Sequence, residues 1–487
     1  MKPAWFRFLL LLIVCLLPVA GSPPAAQTSQ TRPNILIIVA DDWSFPHAGV
    51  YGDKAVQTPN FDRFAREGTL FTNAYCASPS CTPSRASLLT GRAVHQLEEG
   101  GNLWGFLPKK FVSYPMLLEE AGYFVGSAGK GWGPGNYQAG GYVENPAGKQ
   151  YKSFTEFYAQ APKDKPFCFW FGTSDPHRPY EKDSGVQSGM KPESVTVPPQ
   201  FPDTMEVRKD ILDYYYEVQR MDRDAGAILK RLEADGKLNN TLVVWTSDNG
   251  MPFPRSKANL YNFGTHMPLA VRWPGKVKAG QVVNDFVSLT DVAPTMLAAA
   301  GLNPLFAMTG RSWMNLLAGK KDAGREQVFL ERERHANVRR GDLSYPVRAI
   351  RTREFLYIRN LRPDRWPAGD PEAYFAVGAY GDIDGGPTKD LLLARKDDAA
   401  IANFFNLACA KRPAEELYDL RADPGELHNV AADKKYASAK QKLRAALDKW
   451  MQTTADPRAN QATDSDAFDR YPYFGARGEG IPAPPKK

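Results

Sequence analysis

The sequence predicts an α/β protein: a mostly parallel central sheet flanked by helices, with a smaller C-terminal α+β domain. Three observations carry this. Continuous apolar runs rich in β-branched and aromatic residues recur at Asn34–Ala40, Phe167–Phe171 and Thr241–Thr246, the pattern of strands buried on both faces. Each run ends abruptly in polar residues: Asp41-Asp42, Asp175-Pro176-His177-Arg178 and Ser247-Asp248-Asn249-Gly250. Helical stretches lie over 60–68, 113–122 and 208–235, so strand and helix alternate as parallel strands with helical crossovers do.

The 487 residues suggest two or three domains, at roughly 150 residues each. Residues 1–21 carry Lys2 and Arg7 ahead of the apolar run Phe8–Leu17, then Pro18-Val19-Ala20-Gly21. That is a secretory signal peptide, too short to span a bilayer. Val14 before Cys15 makes a poor lipoprotein cleavage site, so no stable membrane anchor is expected. The protein is expected to be exported, to the periplasm or medium, or to a lysosome in a eukaryote. A flexible leader follows over 22–32, rich in Pro, Ala, Ser and Thr.

The first domain is expected over 33–344, closed by Ser288-Leu289-Thr290-Asp291 and a helix over 292–300. The second is expected over 345–456. There Val347–Arg351 and Phe355–Asn360 alternate as a hairpin, Glu416–Leu420 adds a strand, Asp423-Pro424 turns, and Tyr436–Met451 is an amphipathic helix. Residues 457–487 read as a polar, Pro-rich tail.

Composition is globular, with 43% hydrophobic and 24% charged residues. The net charge of +7 comes without basic runs; it suits weak steering of a polyanion and offers no footprint for nucleic acid. Beyond the signal, Cys76, Cys81, Cys168 and Cys409 are too few for a disulfide scaffold and leave room for one bridge.

The chemistry centres on Cys81-Thr82-Pro83-Ser84-Arg85, continuing into Ala86-Ser87-Leu88-Leu89-Thr90-Gly91. Thr82 reads as the N-cap, Pro83 as the first helical position and Gly91 as the stop. Cys81 would then face free backbone N–H groups which, with Arg85, suit a sulfate or phosphate. Asp41, Asp42, Asp248 and Asn249 form an all-oxygen set at strand ends, where open α/β sheets bind ligands, and hard oxygens suit calcium or magnesium. On the residues alone, Cys81 is also readable as a buried thiol or a disulfide half, and the acidic pairs as surface turns.

Cys-x-Pro-x-Arg followed by Ser-Leu-Leu-Thr-Gly resembles the signature of type I sulfatases. Asn34–Asp42, Thr58-Pro59-Asn60-Phe61-Asp62, Gly129-Lys130 and Ser247–Gly250 occur in the order found in sulfatases of the alkaline phosphatase superfamily. Asp175–Arg178, Pro252-Phe253-Pro254, Asn259-Leu260-Tyr261, Tyr345–Arg351, Glu416–Leu420 and Lys449-Trp450 are similar to the sulfamidases, the N-sulfoglucosamine sulfohydrolases. Only Asp364–Asn406 lacks a clear counterpart.

The resemblance implies that Cys81 is oxidised to formylglycine by a formylglycine-generating or sulfatase-maturating enzyme. It implies a calcium ion held by Asp41, Asp42, Asp248, Asn249 and the converted Cys81. Arg85, Lys130, His177 and Lys257 would surround the sulfonate, with His177 able to protonate the leaving nitrogen or oxygen. A hydrated aldehyde carries two hydroxyls, one to attack sulfur and one to expel sulfate. Arg178, Glu333 and His335 are candidates to reach the sugar, though a charged surface loop fits Glu333 and His335 as well. One departure stands out: sulfatases generally carry a histidine two residues after the Gly-Lys lysine, and here that position is Trp132.

The resemblance implies a calcium- and formylglycine-dependent sulfohydrolase acting on a sulfated saccharide, N-sulfated glucosamine first and O-sulfated sugars next. Two other readings stay open, a non-catalytic binder of sulfated glycans and a phosphatase or phosphodiesterase on the same scaffold.

Overall fold

The computed structural model describes Met1 and residues 32–372, 378–459 and 466–475. The expected signal peptide and all of the leader but Arg32 lie outside the described residues. Among those described, no helix is long and apolar enough to cross a membrane.

The large sheet holds β1 (Asn34–Ala40), β2 (Thr69–Tyr75), β3 (Phe124–Gly129), β4 (Gln150–Tyr151), β5 (Phe167–Gly172), β6 (Thr241–Ser247), β7 (His266–Arg272), β8 (Gln281–Val283) and β9 (Val287–Ser288). Their order is β4-β3-β5-β1-β6-β7-β2-β8, with β9 also on β2. β1 pairs in parallel with both β5 and β6. β7 alone runs antiparallel to its neighbours β6 and β2.

Alternation along β1 explains the layers. Ile35, Ile37 and Val39 pack with Ala86, Leu88 and Leu89 of the helix Cys81–Thr90 and with Val292 and Met296 of the helix Val292–Ala299. Leu36 and Ile38 pack with Phe61, Phe64 and the long helix Met205–Ala234. Each face of the strand thus has its own core, which is why the run is apolar without interruption.

The second sheet is antiparallel: β10 (Gln327–Arg332), β11 (Val347–Thr352), β12 (Phe355–Asn360) and β13 (Glu415–Asp419), in that order. Its first strand lies ahead of the boundary expected at Tyr345. One face, through Ile350, Tyr357 and Leu417, packs on Leu443, Leu447 and Met451 of the helix Ala437–Thr453. The other, through Leu330, Val347 and Leu356, packs on Tyr75, Leu260 and Phe286.

The expected tail is not loose throughout. Residues 466–475 include a short helix, Ala467–Arg470, whose Phe468 is buried and whose Asp469 pairs with Arg365 at 2.9 Å. Just upstream, Asp456 accepts from Arg348 Nε at 2.6 Å. Burial alone would push this carboxyl up, but Arg348 and His95 hold it down to about 2. Because the folded value lies below the unfolded one of 3.8, the stabilisation is complete above pH 4 and is lost as pH falls toward 2, about 2 kcal/mol in all. The stability difference between wild type and Asp456→Asn, read by urea unfolding, should therefore narrow as pH falls from about 4.5 to 2.5. A difference that stays flat with pH would contradict this.

Candidate active site

The carboxyl ends of β1 and β6 and the start of the Cys81 helix converge. The Asp248 N–H donates to Ala40 O and the Asp41 N–H to Asp175 O, both at 3.1 Å. Asp42 is left-handed with φ 76°, a conformation that costs a non-glycine residue of order 1–3 kcal/mol. Its N–H donates to Asp248 Oδ1 at 3.1 Å, so the strained turn ties the two acidic strand ends together.

The helix begins two positions earlier than expected: Ser80 is the extended N-cap, Cys81 is the first helical residue and Pro83 the third. Pro83 is tolerated there because first-turn N–H groups lack intrahelical partners anyway. Gly91 ends the helix at φ 68°, its N–H donating to Ser87 O at 2.8 Å. Buried Cys81 Sγ lies 3.4 Å from Asp41 Oδ1 and 4.0 Å from Asp42 Oδ1. Burial raises its thiol well above the usual range, so the unmodified side chain is a neutral, weakly nucleophilic thiol.

Three cations surround this group. Lys130 Nζ donates to both oxygens of Asp41 at 2.7 and 2.6 Å. Arg85 Nε donates to Asp248 Oδ2 at 2.7 Å, and Lys257 Nζ to Asp42 Oδ2 at 2.7 Å. Lys130 is brought in by close backbone approach. Gly129 is left-handed at φ 70°, and a Cβ on it would lie 2.0 Å from Gly172 O. Burial pushes the Asp41 carboxyl up, but Lys130 and Arg85 outweigh it and hold it well below the usual carboxylate range. Asp42 ends higher, at about 6: burial raises it and Asp41 and Asp248 add to that, against Lys257 and His177.

The donor set fits a divalent cation. One oxygen each of Asp41, Asp42 and Asp248, with Cys81 Sγ, all lie within 4.8 Å of one another. Asn249 Nδ2 donates to Asp42 Oδ1 at 2.6 Å, yet its buried Oδ1 has no hydrogen-bond partner among the described residues. A buried amide oxygen left so is costly unless something binds it.

His177 stands at the mouth, its side chain 35% exposed and Nε2 3.8 Å from Asp42 Oδ2. Lys130 is also accessible, at 20% exposed. His335 is buried beside the Cys81 helix, Nδ1 2.8 Å from Ser80 Oγ. Burial depresses it to about 4, with Lys257 and Arg332 acting the same way, so it is neutral near pH 7.

Two expected sugar contacts are corrected. Arg178 is only 7% exposed, paired with Asp210 at 2.8 Å and packed over Tyr180 and Phe253. Glu333 is fully buried, accepting from Arg348 Nη2 at 2.7 Å and Arg458 Nη2 at 2.7 Å. Both are spent on ion pairs within the fold. Trp132 is buried in the apolar cluster on the Cys81-helix side of the sheet. Cys76, Cys81, Cys168 and Cys409 are all buried and unbridged, so the one disulfide allowed for is not formed.

One member went unforeseen. Asp384 Oδ2 lies 3.3 Å from Lys257 Nζ, and the carboxylate groups with Asp42 and His177. The only signal in the sequence is Asp384-Gly385-Gly386, a turn pattern inside the stretch without a clear family counterpart.

The α/β sheet thus carries at its strand ends a buried carboxylate cluster ringed by cations, a set that suits a cation beside an anionic group. The chain belongs to the sulfatase family. The Sulfatase family model matches residues 33–302, and that of the "N-sulphoglucosamine sulphohydrolase, C-terminal" family matches 255–370. The human N-sulphoglucosamine sulphohydrolase is 32% identical over 88% of this chain and 92% of its own. A Formosa agariphila ulvan-active sulfatase is 28% identical over 87% and 76%. Among solved structures, a complex with D-glucosamine-2-N,6-O-disulfate superposes with a TM-score of 0.63 at 21% identity, covering 89% of this chain and all of the other. The protein is thus a sulfatase-family enzyme.

Proposed function

We propose that this enzyme is a calcium- and formylglycine-dependent sulfohydrolase releasing sulfate from sulfated saccharides, with N-sulfated glucosamine as the first substrate to test. The observation that carries this is the position of Cys81 Sγ, on the first residue of a helix and against Asp41 and Asp42. The 32% identity to the human N-sulphoglucosamine sulphohydrolase supports the choice of sugar.

In this reading Asp41, Asp42, Asp248 and Asn249 hold the calcium ion together with the oxidised Cys81. When bound, the ion would neutralise charge on the sulfonate oxygens, and a hydrated formylglycine would supply the nucleophilic hydroxyl. Arg85, Lys130 and Lys257 bind and orient the sulfonate, their charges fixed in a partly desolvated site where they act most strongly. His177 Nε2, at the open side, holds the proton that the leaving nitrogen or oxygen takes up. The large sheet and its helices form the catalytic domain, and the smaller domain begins with β10, ahead of Tyr345. The chain is exported and needs a formylglycine-generating or sulfatase-maturating enzyme.

The test is sulfate release from a panel of N- and O-sulfated monosaccharides by protein co-expressed with such a maturation enzyme. Release from N-sulfoglucosamine, lost with a strong chelator and restored by calcium, is expected. Calcium at 100 times its dissociation constant should also stabilise the chelated protein by about 2.7 kcal/mol, seen as a higher melting temperature. Release that survives chelation, or release only from phosphate esters, would contradict the proposal.

A further inference from the structure

The site's rim includes a carboxylate that neither the cation set nor the sulfonate cradle uses. Asp384 comes from a loop more than 120 residues beyond Lys257 in sequence, and that loop is fastened at every turn. Asp382 accepts the Ala336 N–H at 3.0 Å and pairs with Arg332 and Arg339. Lys389 Nζ donates to Ile383 O at 2.8 Å. Thr388 donates through its N–H at 3.1 Å and its hydroxyl at 2.6 Å to Asp210, the carboxylate that also holds Arg178. Gly386 lies so close to Arg178 that a Cβ there would fall 2.3 Å from Nη1. Arg178, expected to touch the sugar, instead seats the loop that carries Asp384.

So anchored, Asp384 Oδ2 is buried 3.3 Å from Lys257 Nζ without hydrogen-bond geometry, while the side chain keeps 27% exposure. One of its oxygens lies within 4.8 Å of a His177 ring nitrogen, and the His177 side chain is itself 35% exposed. An ionised carboxylate accepts hydrogen bonds and never donates them. Whatever substrate group faces it must therefore carry an N–H or O–H, and a second sulfate or a uronic carboxylate there would meet like charge.

We propose that Asp384 is a specificity-determining residue, selecting saccharides with an amine or hydroxyl donor beside the scissile sulfonate and rejecting those with a second anion there. This rests on the sulfohydrolase reading above and goes beyond it by naming what surrounds the scissile group.

The experiment compares wild type, Asp384→Asn and Asp384→Glu on three substrates: N-sulfoglucosamine, D-glucosamine-2-N,6-O-disulfate and 4-nitrophenyl sulfate, which lacks the sugar. For Asp384→Asn, kcat/KM on the monosulfated sugar should fall at least about tenfold, mostly through KM, and at least about fivefold further than on the aryl sulfate. The ratio of disulfated to monosulfated activity should rise about tenfold, and Asp384→Glu, which keeps the charge, should hold that ratio near the wild-type value. An unchanged melting temperature reports an intact fold. Equal losses on all three substrates would make Asp384 a mere support for Lys257 and overturn the inference, as would an unmoved ratio. A wild-type enzyme that cleaves none of the three would overturn the sulfohydrolase reading and this inference together.

Discussion

Replacing Cys81 with alanine is expected to lower turnover by more than about 10³-fold while the protein stays folded. The side chain stands against Asp41 and Asp42, with Lys130 and Lys257 acting on it. No other described nucleophile combines a helix's first turn with that carboxylate pair. Removing one buried sulfur atom costs about 1 kcal/mol of stability, too little to explain such a loss by unfolding. Arg85, Lys130 and Lys257 remain in the variant, so sulfated substrate should still bind within about tenfold of wild type. Turnover within tenfold of wild type would show that the attacking group is elsewhere.

Glu333→Ala should act on the other half of the ledger, destabilising the protein by about 3–5 kcal/mol while leaving kcat/KM of the folded fraction within about threefold. Its carboxylate lies between two buried guanidiniums. Arg348 keeps Asp456 at 2.6 Å as a second partner, but Arg458 loses its close one, since its remaining carboxylate, Asp466, is 3.9 Å away. Burying an unpaired guanidinium is what makes the truncation costly. Urea unfolding reads the stability, and steady-state kinetics at low temperature reads the activity. A large loss of kcat/KM with unchanged stability would return Glu333 to the sugar site.

What the sequence shows of the fold follows burial. β1, β5 and β6 are covered on both faces, so their runs are apolar throughout and their polar ends mark the sheet's carboxyl edge. β2 and β3 escape the same reading because Thr69-Leu70-Phe71-Thr72-Asn73 mixes polar residues into a strand, and Phe124–Gly129 contains two glycines that close approach demands. In the site, Asp41, Asp42, Asp248, Asn249, Lys130, His177 and Lys257 meet as the motif order implied. Arg178 and Glu333 mislead because a charged residue near a motif looks available until its partner is known. Those partners lie 32 and 125 positions away, at Asp210 and Arg458, where only folding pairs them. Asp384 is missed for the converse reason: its loop has no regular period, and only long-range mooring brings it to Lys257.

The most direct test is mass spectrometry of the Cys81 peptide from protein made with and without a sulfatase-maturating enzyme, alongside turnover of the same two samples. The peptide should lose its sulfur, gain an aldehyde that a hydrazide reagent captures, and be modified in proportion to activity. Full activity in protein whose Cys81 is still an intact thiol would contradict the account.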